Sequence, residues 1–90
     1  MLKIKVFRIK GRCPVYKKDR VFYIKDGYIL KTNTKLCMHS LCSIIPYYIA
    51  LSKGVKPKNL SLGNKNKTYV QCLDPCEITN GGTVIFEIES

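Results

Sequence analysis

Period-two alternation opens the chain. Leu2, Ile4 and Val6 are apolar, and Lys3, Lys5 and Phe7 fall between and after them, the pattern of a strand with one face buried. Lys10-Gly11-Arg12 ends this run. Cys13-Pro14 follows, where the residue before proline is pushed toward extended backbone. Lys17-Lys18-Asp19-Arg20 reads as a polar turn, and Arg20 to Lys25, rich in branched and aromatic side chains, predicts a second strand. Asp26-Gly27 is a turn signal, with a short third strand expected at Tyr28-Ile29-Leu30. After the polar connector Thr32 to Lys35 the period changes. Met38, Leu41, Cys42, Ile45, Tyr48, Ile49 and Ser52 recur every three to four positions, so a helix starting near Cys37 is expected to bury that face. Gly54 is a suitable stop. Pro46 removes the amide bond back to Cys42, which predicts a kink or two short helices. Residues 54–67 read as a mobile loop with room for one helical turn near Asn59–Leu62. A strand is expected over residues 68–73, broken by Asp74-Pro75. Asn80-Gly81-Gly82 then turns the chain into a last strand over residues 83–89. These elements make one α+β domain over residues 1–90. Four to five mostly antiparallel strands form a sheet or small open barrel, and one kinked central helix closes one side.

Size and charge narrow the functional classes. A chain of 90 residues buries one modest core, and disulfides, a metal or a further chain (a protein partner or a second copy) are the usual supplements. No apolar run of signal-peptide type opens the chain. The longest apolar stretch, Leu41 to Leu51, is too short to span a bilayer, so no membrane partner and a cytoplasmic location are expected. The formal net charge is +10, and every Lys and Arg lies at or before Lys67. Residues 1–67 carry +14 and residues 68–90 carry −4. Such a field attracts polyanions, nucleic acid among them, without specifying which. Thirteen of the sixteen basic residues are lysine, so the bidentate fork that arginine offers phosphates and bases is scarce. Tyr16, Tyr23, Tyr28, Tyr47, Tyr48 and Tyr69 are interleaved with these lysines and are of a type that stacks on bases or completes a small core.

Cys13, Cys37, Cys42, Cys72 and Cys76 are the remaining signal, with His39 two residues after Cys37. In a reducing compartment such residues point to metal binding or redox chemistry more than to a disulfide framework, and an odd number cannot pair completely. Cys37 falls at the predicted helix start, where free amides and the helix dipole favour a thiolate. Cys72 and Cys76 flank Leu73-Asp74-Pro75, one residue longer than a zinc knuckle. Asp74 is placed to orient His39 or, by preference, to cap a turn. Cys42 lies on the predicted apolar helix face and is assigned to the core. Cys13, Cys37 and Cys72, completed by His39 or Cys76, are therefore the expected ligands of zinc or, with thiolates alone, of an iron–sulfur cluster. No Walker loop, dinucleotide fingerprint or Gly-x-Ser-x-Gly elbow is present.

The same landmarks carry a resemblance. Cys13-Pro14 and Tyr16…Asp19-Arg20-Val21-Phe22 are followed by Cys37-x-His39-Ser40-Leu41. Gln71-Cys72-x-Asp74-Pro75 and Gly82-Thr83-Val84-Ile85-Phe86-Glu87-Ile88 close the series. Taken in order, these motifs make nearly the whole chain resemble a family of small proteins of about this length found in many anaerobic bacteria and archaea. The resemblance implies cysteines at the places of Cys13, Cys37 and Cys72. It carries no activity. The chain departs from the pattern in lacking tryptophan after the second motif and in having Gln71 where many members have another cysteine. Cys42 and Cys76 lie outside that pattern.

Three functional classes follow. The first is a metal-binding or redox-thiol domain centred on Cys13, Cys37 and Cys72. The second is a basic nucleic-acid-binding module using residues 1–67 and the tyrosines. The third is a small thiol enzyme with Cys37 as nucleophile and His39 as base, a pair whose sequence spacing makes the required geometry rare.

Overall fold

The computed structural model describes residues 1–90. Six strands form one sheet: β1 (Leu2–Gly11), β2 (Val21–Lys25), β3 (Ile29–Lys31), β4 (Gly63–Asn64), β5 (Lys67–Gln71) and β6 (Gly82–Glu89). One helix, α1 (Met38–Ser52), and one 3-10 turn (Pro57–Leu60) complete the elements. The strand order is β3-β2-β1-β6-β5-β4, and every neighbouring pair is antiparallel. The sheet is open, with β3 and β4 at its edges. The α+β architecture matches the sequence expectation, with six strands where four to five were expected. The additional strand is β4, two residues of the segment expected to be a loop. It pairs Gly63 with Thr68 and Asn64 with Lys67 around a turn that sets Lys65 at φ +55°. No glycine marks that turn, so its sequence signal is weak.

Registration sorts the side chains cleanly. Leu2, Ile4 and Val6 face the same side as their partners Ile24, Phe22, Ile88 and Phe86. Thr68, Val70 and Cys72 of the β5 side join them, and all are buried. Tyr16 and Phe86 meet edge to face at 5.3 Å, and Phe22 meets Phe86 at 6.4 Å. Such pairs add about 0.5–1.5 kcal/mol each beyond area burial. The helix covers this face through Ser40, Ile44 and Leu51.

The helix is turned relative to the sequence expectation. Met38, Ile45 and Ile49 are 69%, 53% and 55% exposed, and Cys42, assigned to the core, is exposed as well. The reason is compositional. From Met38 to Ser52 the helix has no Asp, Glu, Lys or Arg to mark an outer face, so two apolar stripes compete. The small Ser40 allows the first turn to close on Tyr16. The chain also forms one continuous helix, not two. Pro46 and Cys42 are both exposed, which places the carbonyl that lacks a partner amide toward water. The helix ends as Gly54 predicts. Val55 N–H bonds to Ala50 O at 3.0 Å and Gly54 N–H to Leu51 O at 3.2 Å, with Gly54 at φ +89°. This is a Schellman closure.

The extents are 37 × 28 × 19 Å. The shortest is that of one sheet and one helix layer, each about 10 Å thick. The second face of the sheet therefore has no helix over it; only the turn at residues 74–77 lies against its Lys10, Gln71 and Thr83 end. No helix is long and apolar enough to cross a membrane.

Candidate functional site

Two regions carry the chemistry the sequence points to: the end of the sheet where the cysteine segments meet, and the uncovered sheet face.

At the first, three segments converge on backbone evidence. The Cys13 Sγ accepts the Tyr16 N–H at 3.3 Å, and the Cys37 N–H donates to the Tyr16 hydroxyl at 2.9 Å. Gly82 packs so tightly on the 12–13 peptide that a Cβ there would lie 2.5 Å from Arg12 C and 2.6 Å from Cys13 N. The sulfurs do not share a centre. Cys13 is anchored at the backbone end of Tyr16 and Cys37 at its hydroxyl end, so the length of the tyrosine separates the two anchor points. Cys72 is buried in the core, its N–H bonded to Val84 O at 2.8 Å. Cys76 turns its thiol toward the backbone carbonyls of Lys10, at 3.5 Å, and Gly81, at 3.6 Å. His39 is exposed on the first helical turn. All five cysteines are free, and no three Cys, His, Asp or Glu side chains gather as a group able to hold a metal ion. The expected ligand set of Cys13, Cys37, His39, Cys72 and Cys76 is thus brought to one end of the molecule but not onto one point. The strand alternation that buries Cys72 with Val70 is what withdraws it. Cys37 is the N-cap residue, and its side chain makes no capping bond. No hydrogen bond joins Cys37 to His39, as the enzyme reading would require.

What sequence reasoning missed here is Tyr16. Its hydroxyl donates to Ser40 Oγ at 2.6 Å, and Ser40 donates to Cys37 O at 2.7 Å. With the Cys37 N–H this closes a ring through both ends of one residue. Burial raises the phenol pKa above its ordinary value, opposed by its hydrogen bonds with Ser40 and Cys37. Asp74 caps its own turn, as preferred from sequence. Its Oδ1 accepts the Cys76 N–H at 2.9 Å and the Thr79 hydroxyl. The Thr79 bond, then the Cys76 amide, lower its pKa, with a small contribution from the charge of His39.

The second region follows from register. Lys3, Lys5, Arg8 and Lys10 of β1 face outward with Tyr23 and Lys31, their neighbours across β2 and β3, and with Glu89, Glu87, Ile85 and Thr83 of β6. Lys25, Lys67, Tyr69 and Gln71 lie on the same face. The ladder shifts register between Val6 and Arg8, leaving Phe7 as the extra residue of a bulge. Phe7 meets Tyr69 edge to face at 5.3 Å, and the Arg8 guanidinium lies 5.5 Å from the Phe7 ring centre. Two of the acidic groups here are engaged, while Glu89, in register with Lys3 and Lys67, forms no ion pair. Glu87 accepts the Tyr69 hydroxyl at 3.0 Å and pairs with Lys67 at 3.8 Å, and Asp19 pairs with Lys5 at 3.9 Å. The bond to Glu87 holds the Tyr69 phenol above its ordinary range. These two ion pairs are the ones that form in the chain, so most of the positive charge has no acidic partner.

Beside the exposed helix stripe runs an open apolar groove of about 590 Å³ between Pro46, Tyr47, Leu62 and Leu73. No protein-family model, curated protein or solved structure matches the chain.

Proposed function

We propose that the protein is a nucleic-acid-binding module whose contact surface is the uncovered face of the sheet. One observation carries this reading. Lys3, Lys5, Arg8, Lys10, Lys25, Lys31 and Lys67 share one face with aromatic residues, while Glu87 on that face is tied to Tyr69 and Lys67. A flat basic surface with rings among its charges is suited to a phosphate backbone that also offers bases. The test separates the face from the charge as a whole. The variant Lys3→Ala/Arg8→Ala/Lys31→Ala removes three cations from the sheet face. The variant Lys53→Ala/Lys56→Ala/Lys58→Ala removes three exposed cations near the helix end. Binding to an oligonucleotide at low salt is expected to weaken at least tenfold in the first and by no more than about threefold in the second. Equal losses would mean diffuse attraction without a defined surface.

A metal- or redox-thiol role is the second reading. The closure of the Cys13 and Cys37 segments on the same tyrosine favours it. To supply more ligands, the 72–82 segment would have to draw Cys72 out of the core or swing Cys76 away from Lys10. Stoichiometric zinc or iron in anaerobically purified protein would support that rearrangement.

A further inference from the structure

We infer that the uncovered sheet face takes a single-stranded nucleic acid, with one base at Phe7 and another at Tyr23. This inference rests on the nucleic-acid reading above and adds the strand class and the base sites.

Two hollows lie side by side on this face. One, of about 390 Å³, is walled by Phe7 with Lys5, Arg8 and Lys18. The other, of about 570 Å³, is walled by Tyr23 with Arg20, Lys31 and Asn33. They share Asp19, whose charge is offset by Lys5 at 3.9 Å. Each hollow therefore pairs one ring with cations, the combination that holds a base on its flat face and a phosphate at its rim.

The Phe7 ring is held before any ligand arrives. The bulge between Val6 and Arg8 frees it from the ladder, Tyr69 packs against it in an edge-to-face pair, and the Tyr69 hydroxyl is fixed by Glu87. Arg8 already lies over that ring, showing that its face accepts a flat cationic partner. A base stacking there frees or sandwiches the guanidinium, which is then placed for a phosphate. Tyr23 pairs across the sheet with Lys3 and Lys31 and is partly exposed. Since Tyr23 lies opposite Lys3, the two rings stand about 13 Å apart along the strands, four residues at the extended rise. One base cannot bridge them, so two bases of one extended strand are required.

A duplex fits poorly. Its bases are stacked inward, and its major groove admits a helix or a two-stranded ribbon. The single helix here lies on the far side of the sheet and carries no Lys or Arg. Rings seated low on a broad sheet reach bases only when these are unstacked.

The test uses the full chain with four fluorescent probes: oligothymidine, oligouridine, a duplex of equal length, and an abasic phosphodeoxyribose strand. Phe7→Leu and Tyr23→Leu are each expected to lower affinity for the two single strands by about tenfold. Affinity for the duplex and the abasic strand should stay within twofold. Tyr23→Leu, at a partly exposed position, keeps the test valid if the half-buried Phe7→Leu variant fails to fold. Parallel losses on all four probes, or none, would overturn the base sites while leaving backbone binding in place. Absence of wild-type binding to every probe at low salt would remove the nucleic-acid reading itself. A loss confined to oligouridine or to oligothymidine would support the base sites and name RNA or DNA as the target.

Discussion

The Tyr16 hydroxyl joins the loop after β1 to the start of α1 through two hydrogen bonds, to Ser40 and from the Cys37 N–H, and a third from Ser40 to Cys37 O closes the ring. Nothing in Val15-Tyr16 announces this. The partner groups are 21 and 24 residues away, and their meeting is created by the fold. Tyr16→Phe leaves the Cys37 amide without its partner and costs about 1–3 kcal/mol. A fall in Tm of several degrees, at roughly 4–8 °C per kcal/mol for a domain this size, checks it. The pH dependence has a defined sign. Because the folded phenol has a raised pKa, its contribution is fully present below the unfolded value near 10 and is lost as pH rises through the folded one. Wild type should thus lose stability in alkali more steeply than Tyr16→Phe, as read by thermal melts between pH 8 and roughly 11. The Asp74 turn, by contrast, was legible, because an Asp-Pro step followed by polar residues offers only local partners.

Among the elements, the strands were the most readable and the helix face the least. Alternation in Leu2 to Val6 fixes which side is buried, since a one-residue slip would bury lysine. In α1 no charge penalises either of two orientations, and the choice falls to what the sheet presents. Tyr16 presents a hydroxyl, and Ser40 answers it. In the loop after the helix, the helical turn expected near Asn59–Leu62 forms at Pro57–Leu60, while the β4 hairpin rests on a pairing with β5 that sequence does not display. The helix stop was read correctly and is testable. At Gly54 a Cβ would meet nothing within 4 Å, so Gly54→Ala measures backbone strain at φ +89° alone. A loss of about 1–2 kcal/mol is expected in urea unfolding, with an unchanged m-value.

For the molecule as a whole, the two-layer build is decisive. One helix covers one face of a six-stranded sheet, and the strand pleat sends apolar groups to that face and lysines to the other. The same pleat explains why the cysteine pattern does not converge on one point in this structure. Its segments do meet, but Cys72 follows Val70 into the core and Cys76 follows its turn toward Lys10. Spacing along the chain showed the thiols; it did not show which way each would point. Charge was legible as a total, and only the sheet register revealed that so much of it shares a face with Phe7, Tyr23 and Tyr69.

The salt dependence of wild-type binding to a single strand tests this account most directly. Four to five phosphates held by the sheet-face cations give a slope of log K against log salt of about −3, an affinity loss near sixtyfold between about 50 and 200 mM. Binding that is undetectable at the lowest salt, or that persists with a slope near zero, would contradict it.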